Sequence, residues 1–319
     1  MTRYVIRRLL WGVLMLVVVC LITFIIFRVL PPGNPALRRA GRNPTQGQIK
    51  AIEATLHLNR SLPTQFWDYL KNIVLHFNFG YSYGSQESVV QLIKERLPAT
   101  ISLTVGAAVL WIVFGVGVGI LSALRRHSFV DRGAMGGALV LVSAPSFWLG
   151  LVLLYLFASD IGKVKVLPGA GSYVGLTTDP GKWFTSMLMP WFVLAAGSAA
   201  VFARLIRGNL LEVMDEDYIR TARAKGLPEK RVVRQGVRAS INPVVTLMGL
   251  EFGILLGGAV LVETVFNIPG VGRLAYESIV NADFEVIEGT VLLAAMFIIL
   301  ANIVVDIMYA YLDPRVRYA

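Results

Sequence analysis

Six long apolar runs constrain this chain more than any other feature. They cover residues 9–27, 100–124, 133–159, 183–203, 241–262 and 289–311. A helix needs roughly 20 predominantly apolar residues to cross a bilayer core. In lipid its backbone must satisfy its own hydrogen bonds, so an irregular chain of the same composition is excluded. The runs therefore predict an all-α integral membrane protein with six transmembrane helices. The balance of 55% hydrophobic to 16% charged residues agrees, because a soluble chain of 319 residues seldom reaches it.

The charges sit where they orient such a protein. Arg3, Arg7 and Arg8 precede the first run, Arg125, Arg126 and Arg132 follow the second, and Arg204 and Arg207 end the fourth. Residues 207–238 hold eight Lys/Arg against five Asp/Glu, whereas 263–288 hold one base, Arg273, against five acids. Basic loops face the cytoplasm. Both termini, including the tail with Arg315 and Arg317, and the 209–240 loop are thus expected inside, and 31–96 outside. The net charge of +10 needs no nucleic acid to explain it, since no base-stacking aromatic motif accompanies the arginines. A cleaved signal peptide would have a shorter apolar core and a small-residue cleavage site. Here Arg28 and Pro31-Pro32-Gly33 follow instead, so the first run is expected to stay as a span.

The expected organisation is a first span (1–30), an external region (31–96), a core with five spans (97–312) and a cytoplasmic tail (313–319). Within the external region, 45–57 and 62–77 read as amphipathic helices and 79–84 as a turn-rich connector. Residues 86–97, with Val89, Val90, Leu92, Ile93 and Leu97 on one stripe, read as an interfacial helix. The third span is interrupted by Pro145. Gly115, Gly117 and Gly119, and the pair Gly253 and Gly257, predict close helix packing. The lone Cys20 lies in an apolar run, and His57, His76 and His127 lack metal-ligand spacing, so neither a disulfide nor a metal site is expected.

Between the fourth and fifth spans lies Asp217-Tyr218-Ile219-Arg220-Thr221-Ala222-Arg223-Ala224-Lys225-Gly226. Acids come first and bases last, which suits a short helix and its dipole. Gly226 supplies a left-handed stop, and Pro228 can open the next helix at its first turn. Thr221, Ala222 and Ala224 give the helix a shallow surface, and Arg220 and Arg223 share a face. Such a helix suits docking onto another protein; a solvated loop is the plainer alternative.

Glu251 is the one carboxylate near the middle of a span, with no Lys or Arg at comparable depth. A mid-bilayer charge costs about 2.5–3.5 kcal/mol, so it should not face lipid. It is either a neutral carboxyl hydrogen-bonded between helices or a hydrated contact on a transport path.

The 217–226 stretch resembles the Glu-Ala-Ala loop of ABC-importer permeases, with Arg220-Thr221-Ala222 where Glu-Ala-Ala would stand and Gly226 as its glycine. Tyr218 to Gly226 is similar to the variant of dipeptide and oligopeptide permeases. Further stretches agree in order. Leu30-Pro31-Pro32-Gly33-Asn34-Pro35 resembles the segment after the family's first span, with Asn34 where an Asp is usual. Phe79-Gly80 and Glu95-Arg96-Leu97-Pro98-Ala99-Thr100 resemble the approach to its second span, and Ser143 to Gly150 its third. Glu263-Thr264-Val265-Phe266 with Pro269 to Leu274 resembles its last external loop, and Tyr311 to Arg315 its tail.

The resemblance covers nearly the whole chain and implies the B-type permease subunit of a peptide importer, with the type I importer fold. It implies a homologous second permease, two ATP-binding subunits that hold ATP and magnesium, an external substrate-binding protein, and a place in the cell membrane. It also implies a coupling helix, formed here by Asp217, Tyr218, Arg220, Thr221, Ala222, Arg223, Ala224 and Gly226. Ser143, Ser146, Trp148 and Glu251 are the candidates for the translocation path. No catalytic residue is expected. The sequence contains no G-x-x-x-x-G-K-[ST], so nucleotide would bind another subunit. A nickel or other small-solute permease of the same family is the nearest alternative. An ion-coupled secondary transporter would call for inverted repeats and several ionisable residues at mid-membrane. An intramembrane enzyme would call for a catalytic pair at that depth.

Overall fold

A computed structural model describes residues 2–30, 36, 45–55, 60–82 and 84–312. The expected Pro31–Pro35 motif, His57 and the 313–319 tail lie outside the described residues. The helices are α1 (Thr2–Phe24), α2 (Gln46–Thr55), α3 (Leu62–His76), α4 (Val89–Leu124), α5 (Phe129–Ser143), α6 (Ser146–Phe157), α7 (Pro180–Met214), α8 (Asp217–Ala224), α9 (Glu229–Val265), α10 (Val271–Val280) and α11 (Phe284–Leu312). A π-helical turn, Ile25–Val29, extends α1. Among the described residues there are two isolated bridges, Tyr81 with Ser88 and Ala158 with Leu167, and no sheet.

The protein is an all-α membrane protein. Among the described residues, four helices are long and apolar enough to cross a bilayer: Ile6–Val29, Val89–Leu124, Pro180–Met214 and Phe284–Ile307. The α5–α6 pair makes a fifth candidate. The expected run 241–262 is the later part of α9, a continuous helix of 37 residues.

One expectation is sharpened and another needs correction. The third run is not one rod, because α5 and α6 meet at 108°. Pro145 caps α6 with φ −60° and ψ 136°, and Ala144 before it is extended. A proline lacks the N–H that a continuing helix needs and pushes the preceding residue out of helical geometry. Residues 86–97 are likewise not an interfacial helix of their own. From Val89 onward they are the first turns of α4, which runs unbroken through Pro98, and Val89 and Ile93 are buried.

The chain divides into two compact units. One comprises Leu97–Arg273 with the residues from Ala301 onward; the other comprises Thr2–Arg96 with Leu274–Leu300.

In the first unit α7 is the central helix. α4 approaches it through glycines: a Cβ on Gly115 would lie 3.1 Å from Ala199 O, and one on Gly119 would lie 2.7 Å from Ala203 O. This four-residue spacing is the close-packing seam expected from the sequence, although Gly117 faces open space. The surroundings of Gly257, in the other expected pair, lie outside the described residues. Trp111 stacks obliquely on Phe202, with centroids 4.4 Å apart, and Trp191 Nε1 donates to Ser102 O at 2.8 Å.

In the second unit, Cys20 and Phe24 of α1, Tyr69 of α3 and Leu292 of α11 form a buried cluster. Arg28 lies 3.6 Å from Glu285 and 3.5 Å from Glu288, with its guanidinium over the Tyr69 ring at 4.7 Å. Ser82 Oγ donates to Asp283 at 2.5 Å.

Candidate functional site

The stretch 217–226 folds as a short helix with a defined stop. α8 covers Asp217–Ala224, and the acid-first, base-last order places Asp217 in its first turn and Arg223 in its last. Gly226 takes φ +76°. Its N–H donates to Arg223 O at 2.9 Å, and the Leu227 N–H donates to Ala222 O at 3.2 Å. These are the two bonds of a Schellman stop, which needs a left-handed residue where glycine stands. Pro228 is the N-cap of α9 rather than a residue of its first turn.

One apolar side chain anchors α8. Ile219 is fully buried, while Asp217, Tyr218, Arg220, Thr221, Arg223, Ala224 and Gly226 are exposed and Ala222 is half-buried. Arg220 pairs with Asp217 at 3.3 Å, and Thr221 Oγ1 donates to Asp217 O at 2.8 Å. Arg223 reaches forward to Glu229 at 2.9 Å, clipping α8 to the start of α9. The guanidinium holds the Glu229 carboxyl below its ordinary range. The clip is thus complete above the carboxylate range and is lost only as pH falls through that lowered value.

The 209–240 segment is mostly helix. α7 has 35 residues, about 52 Å at 1.5 Å per residue, against a bilayer core of about 30 Å. Its end and the charged start of α9 form a stalk under α8. A Cβ on Gly236 of α9 would lie 2.8 Å from Met214 Sδ and 3.4 Å from Leu210 Cδ1 of α7. Asn209 Nδ2 donates to Ser240 O at 3.4 Å. Higher on α7, Arg207 makes a bidentate pair with the buried Asp131 of α5, at 2.6 and 2.8 Å. Asp131 also accepts from Ser122 Oγ of α4 and from the His127 N–H at 3.0 Å. One carboxylate therefore ties three helices together at the base of the stalk.

The candidate path residues do not share one environment. Ser143 and Trp148 are exposed and Ser146 is half-buried, all at the α5–α6 bend. Ser143 Oγ donates to Leu139 O at 2.9 Å. Glu251 is buried instead, and accepts a hydrogen bond from Ser198 Oγ across the α7–α9 packing. Among the described residues no group of three or more His, Cys, Asp or Glu could hold a metal.

Three stretches singled out by resemblance meet in the first unit. Thr100 Oγ1 donates to Glu263 Oε1 at 2.6 Å and accepts the Val271 N–H at 2.8 Å. The Arg273 N–H donates to Glu263 Oε2 at 2.9 Å. Gly150 packs against Val265 and Phe266, where a Cβ would stand 3.1 Å from each side chain. Glu263 is fully buried, and it fastens the 266–273 loop to the start of the second span. The sequence carried Glu263 and Thr100 as motif letters only. Ser198 and Asp131 carried no signal, and Arg207 carried one only as a basic residue at the end of a span, because their partners lie 53 and 76 residues away.

Residues 1–104 match the N-terminal model for binding-protein-dependent transport system membrane components, and residues 115–318 match the model for the inner membrane component of such systems. The glutathione transport system permease proteins GsiC of Pectobacterium atrosepticum and Escherichia coli K12 are 40% and 39% identical to this chain. In both cases the alignment covers all of each protein. A permease protein of Brucella abortus (strain 2308), named for a peptide transport system, is 37% identical over the full length of both. The two family matches and these full-length likenesses agree: the chain belongs to the binding-protein-dependent transport system inner membrane component family, as a multi-pass membrane permease.

Proposed function

We propose that this chain forms half of the translocation pathway of an ATP-driven importer of dipeptides or oligopeptides. On this reading a homologous second permease supplies the other half. Two ATP-binding subunits hold ATP and magnesium on the cytoplasmic side, and an external binding protein delivers the cargo. The chain itself carries no catalytic group in this scheme. The observation that carries the reading is α8, which presents a shallow, small-residue and basic surface and ends in a fixed Schellman stop. It follows directly on α7, a helix longer than the bilayer core is thick. A solvated loop would need none of these. Asp217, Tyr218, Arg220, Thr221, Ala222, Arg223, Ala224 and Gly226 make up the docking helix. A peptide cargo is supported by relatives named for glutathione, itself a tripeptide, and for peptide transport. Ser143, Ser146, Trp148 and Glu251 are assigned to the path.

Expressed with its neighbours, the chain should co-purify with two ATPase subunits and a second permease. Hydrolysis in that complex should rise when peptide-loaded binding protein is added. A chain that purifies alone and transports with an ion gradient in place of ATP would overturn the proposal. Stimulation by loaded nickel-binding protein but not by peptide-loaded protein would keep the machine and change the cargo.

A further inference from the structure

The helix α3, in a stretch whose polar residues read as external, packs on α1 well inside a membrane span. Its Tyr69, Phe66, Leu70 and Ile73 meet Val19, Cys20 and Phe24 of α1, with Leu292 of α11 in the same cluster. Val19 stands ten residues before the end of the Ile6–Val29 span, about 15 Å along it, or half of a core about 30 Å thick. Leu292 is eight residues inside α11, about 12 Å. Both spans thus meet α3 at membrane depth.

The apolar arc of α3 is wider than the part these spans cover. Trp67 and Val74, seven residues apart, sit beside the packed stripe, and Leu75 extends it. All three are more than half exposed. Gln65, Asp68, Asn72 and His76 form the opposite, polar stripe, where Asp68 pairs with Arg60 at 2.8 Å. Lys71 lies between Trp67 and Leu75 with its ammonium 5.5 Å from the Trp67 ring. A tryptophan beside a lysine that can extend toward the headgroups is the pairing used at the membrane–water boundary. Phe77 caps the helix at φ +48° and is 64% exposed. That conformation is unfavourable for an aromatic residue. α1 and the π-helical turn that extends it also expose apolar side chains, Val18, Leu21, Ile22 and Ile26.

We infer that α3 is embedded in the bilayer leaflet at the C-terminal end of α1, with Trp67, Val74, Leu75 and Phe77 against lipid chains and Lys71 at the headgroups. The occupant of this face is bilayer lipid rather than water, the binding protein or another subunit.

The test uses the assembled transporter in phosphatidylcholine–phosphatidylglycerol nanodiscs. Nitroxide labels go on Val74→Cys and, as the polar-stripe control, on Gln65→Cys, each in a Cys20→Ala background. Collisions with oxygen should exceed those with a water-soluble nickel chelate several-fold at position 74, and the order should reverse at 65. Nickel dominance at 74 would overturn the inference in favour of water. Shielding from both reagents would overturn it in favour of a covering protein. Should Cys20→Ala fail to assemble, Trp67→Phe in the otherwise native protein gives an independent measurement. Brominated phosphatidylcholine should quench a smaller share of the variant's tryptophan fluorescence than of the wild type's, and an unchanged share would overturn the inference.

Discussion

Three buried carboxylates of the first unit meet the cost of burial in different ways. Asp131 has a bidentate arginine, Glu263 has a hydroxyl and a backbone N–H, and Glu251 has the hydroxyl of Ser198. A buried charge without a cation is the most expensive of these arrangements. On the proposed reading Glu251 is the path residue a passing cation would meet, and Ser198 fixes the position of its oxygen. Glu251→Gln keeps the size of the side chain and can still bond to Ser198, while removing the charge. Assembly should be unchanged, and uptake of cationic peptides should fall several-fold relative to acidic ones. Uptake assays of both classes decide the matter: equal, wild-type rates would leave Glu251 a purely structural role. The sequence announced that Glu251 needed something at mid-span, because its depth in an uncharged run can be counted. It could not announce Ser198, since which hydroxyl on another helix lies opposite depends on helix rotation and register.

At the scale of elements, the short helix was more legible than the long ones. The bounds of α8 are written locally, in the acidic start, the basic end and Gly226, and local signals survive folding unchanged. The α5–α6 bend was legible only as Pro145, because a proline marks a break without giving its angle. The start of α4 was misjudged because an apolar stripe reads alike in a surface helix and in the first turns of a span. Since α8 is closed by backbone geometry, its weak point is predictable. Nothing lies within 4 Å of a Cβ on Gly226, so a substitution there is opposed by φ +76° and not by collision. A left-handed L-residue costs roughly 1–2 kcal/mol, and a β-branched one more. Gly226→Ala should retain part of the transport activity, and Gly226→Val should abolish it while the protein still inserts. Ala222→Arg should act like the valine by holding α8 off its partner. In each inactive variant, ATP hydrolysis in the complex should stop responding to loaded binding protein; normal coupling in either would show that α8 is not the docking helix.

For the whole molecule, the order of the chain and the grouping in space diverge. Residues 274–300 fold with 2–96, nearly two hundred residues away, a closure that no local pattern encodes. The topology depends on one local feature, the 108° bend, which fits either a broken span or a re-entrant hairpin. Between Ser85 and Lys230 lie α4, the α5–α6 pair and α7. If the pair crosses, the chain crosses three times and the two residues face opposite sides. If it re-enters, there are two crossings and they face the same side. Charge decides the expectation. A crossing pair places both the 125–132 arginines and the eight Lys/Arg of 207–238 in the cytoplasm, whereas a hairpin would send the larger basic group outside, against the positive-inside bias. Ser85→Cys should therefore react with a membrane-impermeant maleimide from outside, and Lys230→Cys only after the membrane is opened, each in a Cys20→Ala background. Both positions are exposed in the structure, so a failure to react reports sidedness and not burial. Labelling of both from one side would make α5–α6 a hairpin and reverse the placement of α8.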